Sequence, residues 1–241
     1  MGPAEGPGTG RADGGARDGE DPFLAQRLAM VRELRANGIR DPDVLAAFAR
    51  VPRERFVPAD LVTHAYDDSA LGIGHGQTIS QPYIVARMTE LLELPAVRQR
   101  DPSRAPRALD VGTGSGYQAA ILAAMGALVV SIERDPDLSA LATARLIEVG
   151  FGDRVRCVVG DGSAGWVEGA PYDAIVVGAA APRVPEPLAA QLAEGARLVI
   201  PVGPRDYQSL HVVSRQGTRL EERVFDACVF VPLIGRHGFP E

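Results

Sequence analysis

The chain of 241 residues has no lysine: all 25 of its basic residues are arginine. That excludes chemistry needing an ε-amine, including Schiff-base and pyridoxal-phosphate enzymes and the P-loop lysine that reaches nucleotide phosphates. Cysteine is scarce. Cys157 and Cys228 stand far apart and form no CxxC or Cys/His metal spacing, so a reduced, metal-free protein of the cytoplasm is expected. Aromatic residues make up 5% of the chain, too few for a base-stacking platform. No apolar run is long enough for a transmembrane helix, and the N-terminus lacks the cationic-then-apolar order of a signal peptide. The net charge of −6 offers no electrostatic footprint for nucleic acid.

What is present is ordinary globular composition, 46% hydrophobic and 23% charged. Residues 1–20 hold seven glycines and two prolines, with almost nothing to bury, so a disordered tail is expected there. A single domain is expected over 21–241: N-terminal helices and an active-site loop over 21–82, an α/β core over 83–203 and a β segment over 204–241. Asp21-Pro22 reads as a helix start, with Leu24, Leu28, Val31 and Leu34 as the buried face and Asn37-Gly38 as the stop. Asp41-Pro42 opens a second helix through Phe48. Residues 66–81 read as glycine-rich and irregular, and Pro82 as the first turn of a helix carrying Ile84, Val85, Met88, Leu91 and Leu92.

From Ala108 the rhythm becomes strand, turn, helix. Strands are expected at 108–111, 128–132, 155–159, 174–177 and 198–202, with helices at 118–124, 138–149 and 187–192. Such alternation predicts a doubly wound, mostly parallel α/β sheet, and the β-only pattern after Gly203 (210–214 and 223–230) predicts an antiparallel finish.

Asp110-Val111-Gly112-Thr113-Gly114-Ser115-Gly116-Tyr117 joins the first of these strands to a helix, at the sheet end where open α/β folds bind ligands. Tyr117 stands where a dinucleotide fingerprint wants a third, spaced glycine or alanine, which counts against NAD or FAD and suits an S-adenosylmethionine loop. Glu133, 21 residues beyond Gly112, stands at the next strand's end, where an acid can accept from ribose hydroxyls. Asp161-Gly162 ends the third strand, where a carboxylate could reach the adenine edge. Asp110 would repel a pyrophosphate but could accept from a methionine ammonium.

With these features in order, the chain resembles the protein-L-isoaspartate O-methyltransferase family, which repairs damaged proteins. Residues 76–88, Gly-Gln-Thr-Ile-Ser-Gln-Pro-Tyr-Ile-Val-Ala-Arg-Met, are similar to that family's own signature. Val51-Pro52-Arg53-Glu54-Arg55-Phe56-Val57-Pro58, Ala174 to Val177, Pro201-Val202-Gly203 and Phe230-Val231-Pro232-Leu233 also match in order, so the resemblance spans about Val51 to Leu233. It implies a Rossmann-like methyltransferase fold, S-adenosyl-L-methionine as cofactor, and methylation of the free α-carboxylate of L-isoaspartyl residues in damaged proteins and peptides. It implies Ser80 as the active-site residue and Gln81 as a second substrate contact. Thr78, Ile79, Asp110, Gly112, Thr113, Gly114, Ser115, Glu133, Asp161 and Gly162 are the implied cofactor contacts. A monomer without nucleic-acid or membrane partners is expected. The rival reading is a peptide-tailoring aspartate O-methyltransferase that drives aspartimide formation.

The residues suit such a reaction. A carboxylate with a reference pKa near ~4 is ionised at neutral pH, so its methylation needs no general base. Ser80 is expected to orient the acceptor, aided by N–H groups at the start of the Pro82 helix. Its competing role is as that helix's N-cap. No Ser/His/Asp hydrolase arrangement is visible, because Gly162-Ser163-Ala164-Gly165 lacks the GxSxG form. Asn37-Gly38 reads as a helix C-cap that is also prone to succinimide formation.

Overall fold

The computed structural model describes Gly2 and residues 21–240. The glycine-rich tail expected at 1–20 lies outside the described residues, apart from Gly2. The chain opens with α1 (Leu24–Ala36) and α2 (Pro42–Arg50), then a two-stranded hairpin of β1 (Leu71–Gly74) and β2 (Gln77–Ile79), then α3 (Pro82–Leu91) and α4 (Leu94–Arg100). There follow β3 (Arg107–Val111), α5 (Tyr117–Ala124), β4 (Leu128–Glu133), α6 (Pro136–Glu148), β5 (Val155–Val159), β6 (Tyr172–Val177), α7 (Glu186–Ala190), β7 (Leu192–Val202), β8 (Gln208–Gln216) and β9 (Arg219–Cys228).

Seven strands form one sheet in the order β5-β4-β3-β6-β7-β8-β9. The first five pair in parallel, and β8 and β9 add antiparallel. This is the doubly wound sheet with an antiparallel finish that the alternation predicts. The chain winds outward from β3 through β4 to β5, then returns to the other side of β3 as β6. The strand order therefore reverses at β3, where the ends of neighbouring strands part and leave a crevice. Every residue of β6 is buried, as a parallel strand covered on both faces should be. One apolar cluster packs on the sheet face bearing α1, α2, α3 and α5, including Phe48, Phe56, Tyr117 and Ile121. The other, including Leu109, Ile132, Leu188 and Leu198, fills the opposite face. Among the described residues, no helix is long and apolar enough to cross a membrane.

Asp-Pro starts behave as capping chemistry requires at two places. Asp41 Oδ1 accepts from the N–H groups of Asp43 (2.8 Å) and Val44 (3.2 Å), and Asp135 Oδ1 does the same for Asp137 (2.9 Å) and Leu138 (3.2 Å). The third, Asp21-Pro22, is a correction: α1 begins at Leu24. Asp21 spends one carboxylate oxygen on the Phe23 N–H at 2.9 Å and the other on Arg27 at 2.9 Å.

The expected buried face of α1 is also corrected. Leu24 and Leu28 are exposed, at 45% and 39%, while Arg27, Met30 and Leu34 are buried. Arg27 can turn inward because Nη2 meets Glu54 Oε1 at 3.1 Å and Nε donates to the Tyr66 hydroxyl at 2.8 Å. Apolar periodicity cannot register a cation that is buried by its partners.

Further differences lie at element ends. The helix expected at 187–192 spans Glu186–Ala190, and Leu192 already opens an eleven-residue β7, pairing with Tyr172. The last strand is Arg219–Cys228 rather than 223–230, and α4 was not foreseen. The stretch expected to be irregular contains the hairpin. His75 and Gly76, both at positive φ, form its two-residue turn, a geometry that suits the twist of paired strands.

Candidate active site

Loops at the carboxyl ends of β3, β4 and β6 enclose a cleft roofed by the β1–β2 hairpin and by residues 231–234. Its outer part, about 570 Å³, is lined by Thr78, Gly112, Gly114, Glu133, Gly162, Ala179 and Leu233 among others. The inner part, about 470 Å³, reaches Thr78, Ile79, Ser80, Asp110, Gly112, Thr113, Gly114, Ser115 and Tyr117. Thr78, Gly112, Gly114 and Gly178 border both, so the two form one continuous crevice.

The glycine loop folds as its spacing suggests. Gly112 sits at φ +89°, and a Cβ there would point at the Gly178 backbone 3.9 Å away. Two bare backbones thus face each other across the crevice. Gly116, at φ +91°, lets α5 start directly against Ala142 and Leu146 of α6. Beneath the loop the Ser131 hydroxyl donates to Asp110 Oδ2 at 2.7 Å and lies 2.7 Å from the Thr113 hydroxyl.

Asp110 belongs to β3 rather than to the loop, and it is fully buried. Its Oδ1 has no hydrogen-bond partner. Burial, opposed by the Ser131 hydrogen bond and aided by the nearby Glu133 charge, pushes its carboxyl up to about 7. An orphaned buried acceptor beside two facing glycines is what a ligand ammonium would complete. Glu133 ends β4, its Oε2 accepting from the Gly114 N–H at 3.0 Å and its Oε1 from those of Arg134 (2.9 Å) and Asp135 (3.2 Å).

Asp161 has partners that its position in the sequence does not suggest. Oδ1 accepts from the Ser163 N–H (3.0 Å) and hydroxyl (2.6 Å), and Oδ2 from the Arg236 N–H (2.8 Å). These bonds hold the carboxylate below its ordinary pKa, against partial burial. Asp161 thereby fastens the chain beyond β9 across the crevice. Val231 and Leu233 continue that strap by exchanging backbone bonds with Ala180 at 2.8 and 2.7 Å. Gly162 lines the cleft; Asp161 and Gln81 do not.

Ser80 is half-buried on the inner lining, and its hydroxyl bonds to no described residue. The N-cap of α3 is Gln81, without a side-chain cap bond, so Ser80 is free of the capping role. The helix start is itself occupied: Asp68 Oδ1 accepts from the Tyr83 N–H at 2.8 Å and Pro82 has no N–H to give. Of the expected N–H donors for an acceptor anion, that leaves Ile84's at the first turn. The Gln81 amide reaches only Asp68, at 3.5 Å. His75 pins the hairpin to the head of α6, its Nδ1 2.9 Å from Asp135 Oδ2.

Reading the sequence missed Gly178, Ala179 and the strap as cleft walls, and it missed Arg53. Arg53 is fully buried, with Nε donating to Ala65 O at 2.7 Å and Nη2 to Ser80 O at 2.8 Å. The Pro-Arg-Glu-Arg-Phe run was the available signal. Nothing in it says which arginine turns inward.

A doubly wound sheet whose switch point carries a GxGxG loop, a following acid and an unpaired carboxyl defines the class of S-adenosylmethionine-dependent methyltransferases. A model of the protein-L-isoaspartate(D-aspartate) O-methyltransferase family matches residues 25–238. The chain belongs to that family.

The protein-L-isoaspartate O-methyltransferase of Methanoculleus marisnigri is 51% identical over 221 residues, covering 91% of this chain and 96% of its own. That of Chlorobium phaeovibrioides is 49% identical, covering 92% and 96%. A solved protein-L-isoaspartate O-methyltransferase, 28% identical, superposes with a TM-score of 0.77 over 88% of this chain and 67% of that one. A Plasmodium falciparum structure in complex with S-adenosyl-L-homocysteine, 25% identical, gives 0.72 over 86% and 97%.

Proposed function

We propose that the cleft transfers a methyl group to the free α-carboxylate of L-isoaspartyl residues in damaged proteins and peptides. The methyl ester then closes to a succinimide, whose hydrolysis returns part of the material to normal aspartate. S-adenosylmethionine supplies a methyl group already activated on a sulfonium. The observation that carries the reading is the free Ser80 hydroxyl on the same crevice as the orphaned Asp110 oxygen.

In this assignment Asp110 Oδ1 accepts from the methionine ammonium, and the Gly112–Ser115 backbone, with Thr113, encloses the methionine part. Glu133 accepts from the ribose hydroxyls, and Gly162 forms the adenine wall. Asp161 serves that wall indirectly, by anchoring the strap. Thr78 and Ile79 flank the methyl donor on the hairpin side. Ser80 donates to one oxygen of the acceptor carboxylate, which leaves the other free to meet the methyl group. Gln81 extends the acceptor side. No residue has to remove a proton, so the rate rests on placement, which can contribute roughly 7–11 kcal/mol between well-oriented reactants.

The protein is further proposed to act as a cytoplasmic monomer through a single domain over 21–241, with neither nucleic acid nor membrane as partner. Its acidic net charge supports the first exclusion. The decisive experiment offers one short peptide in isoaspartyl and aspartyl forms with S-adenosylmethionine and measures methanol release. Methanol from the isoaspartyl form alone is expected. Equal or greater release from the aspartyl form would favour the peptide-tailoring activity instead.

A further inference from the structure

One buried charge beside Ser80 has no ion-pair partner among the described residues. Arg53 lies on the short 3-10 turn Arg53–Phe56, between α2 and the hairpin. Two of its three nitrogens are committed to carbonyl oxygens, of Ala65 and of Ser80 itself. The third, Nη1, is buried and makes no well-aligned hydrogen bond to any described residue. Arg53 interacts there with the Tyr117 hydroxyl, also buried and otherwise unpaired, a neutral partner that does not balance the charge. Its guanidinium stands 4.8 Å from the centre of the Tyr117 ring, which is held edge-on by Phe48 and Phe56 at 5.9 and 5.5 Å.

Among the described residues no carboxylate forms an ion pair with Arg53. Glu54 takes Arg27 and the Tyr66 hydroxyl; the charge of Asp68, which caps α3 through the Tyr83 N–H, acts on Arg53 from a distance, without an ion pair. An arginine keeps its charge in a protein, and a buried cation without a counter-ion is unfavourable. The Tyr117 face offsets part of that cost. An anion arriving at Ser80 would offset more, and the start of α3, where Asp68 takes the Tyr83 N–H and Pro82 has none, offers that anion little besides the Ile84 N–H.

We infer that Arg53 is the positioning residue of the methyl acceptor. It fixes Ser80 through the Ser80 carbonyl, and its charge, which no ion pair balances, draws the isoaspartyl α-carboxylate to the Ser80 hydroxyl. The inference rests on the acceptor proposed above. It makes the site selective for an anionic acceptor group, by Coulomb attraction from a guanidinium buried behind Ser80, where charge is weakly screened.

The test compares two acceptor peptides on the full chain saturated with S-adenosylhomocysteine: one isoaspartyl, the other identical but with that α-carboxylate replaced by a carboxamide. The wild-type chain is expected to bind the carboxylate peptide at least about tenfold more tightly. In Arg53→Met the preference should fall to within about twofold of unity, with S-adenosylhomocysteine affinity unchanged. A structural role alone would weaken both peptides equally, and that result overturns the inference, as does a preserved preference. A wild-type ratio near one overturns it without any variant.

If Arg53→Met no longer binds S-adenosylhomocysteine, Arg53→Lys decides. Kept charge with a lost fork should keep the preference while turnover falls at least about tenfold; loss of the preference with cofactor binding intact overturns the assignment. Failure of the wild-type enzyme to release methanol from an isoaspartyl peptide is a separate result. It would remove the acceptor itself.

Discussion

The two halves of the cleft are built differently. The cofactor side is a run of consecutive strand-turn-helix units: β3 with its glycine loop, β4 ending in Glu133, β5 followed by Asp161-Gly162. Each ligand-facing group lies within a few residues of a strand's end, so local backbone geometry is enough to place it. The acceptor side joins segments remote in the chain: the 3-10 turn at Arg53, the hairpin at 71–79 and the start of α3. It is held by buried polar contacts, chiefly Arg27 with Glu54 and Tyr66, and Arg53 with Ala65 and Ser80. One half is positioned by backbone conformation and the other by tertiary pairing.

Breaking that pairing should have the largest effect. Arg27→Met leaves Glu54 buried with only the Tyr66 hydroxyl beside it, and removing one partner of a buried pair costs about 3–5 kcal/mol. Thermal denaturation should show a midpoint lower by on the order of 10 °C. A change below 2 °C would mean that the acceptor side does not depend on its ion pair.

Ser80→Ala separates the halves functionally. Loss of one positioned donor at a reacting centre typically costs about 10²-fold or more in turnover. Single-turnover methyl transfer should fall by that factor, while S-adenosylhomocysteine binding, which draws on the other half, stays within about twofold. Equal loss of both would show the halves to be one unit.

Asp110 sharpens the cofactor side. Its carboxyl is raised, so without ligand it is protonated below pH 7 and must lose that proton to pair with an ammonium. Affinity for S-adenosylhomocysteine should therefore rise with pH, by about tenfold from pH 6 to pH 8, where ionisation is nearly complete. The sign for stability is opposite. The folded chain binds this proton more tightly than the unfolded chain does, so Asp110's contribution is present at low pH and lost as pH rises towards 7. Titration calorimetry of Asp110→Asn should give an affinity flat over that range; an unchanged pH dependence would assign the proton to another group.

The smallest effect tests the face of α1. Leu28→Gln should shift stability by no more than about 0.5 kcal/mol, as at an exposed position. Met30→Ala should cost about 2–5 kcal/mol. Comparable losses in urea unfolding would restore the apolar stripe read from periodicity.

The same division governs what could be read before the fold was seen. The parallel sheet, the glycine loop and Glu133 were legible because strand length, turn chemistry and helix starts are short-range properties. The misreadings fall where a distant partner decides. Leu24 and Leu28 were expected inside because no periodicity records that Glu54 and Tyr66 await Arg27. Ser80 had a capping role open to it until Gln81 proved to be the N-cap and Asp68 proved to occupy the helix start. Nor does any periodicity record that the oxygens of Asp161 hold a strap 75 residues further on.

The sequence by itself determined the class of chemistry. A GxGxG loop followed by an acid, with no metal spacing, pointed to an activated methyl donor, because residue types and short spacings set which cofactors fit; the already ionised acceptor was implied by the family resemblance of residues 76–88. Tertiary structure decided which groups are left without partners. Among the described residues, an unpaired Asp110 oxygen, a free Ser80 hydroxyl and an Arg53 without an ion pair are properties of the whole packing. They exist only once every other donor, acceptor and charge around them has been taken.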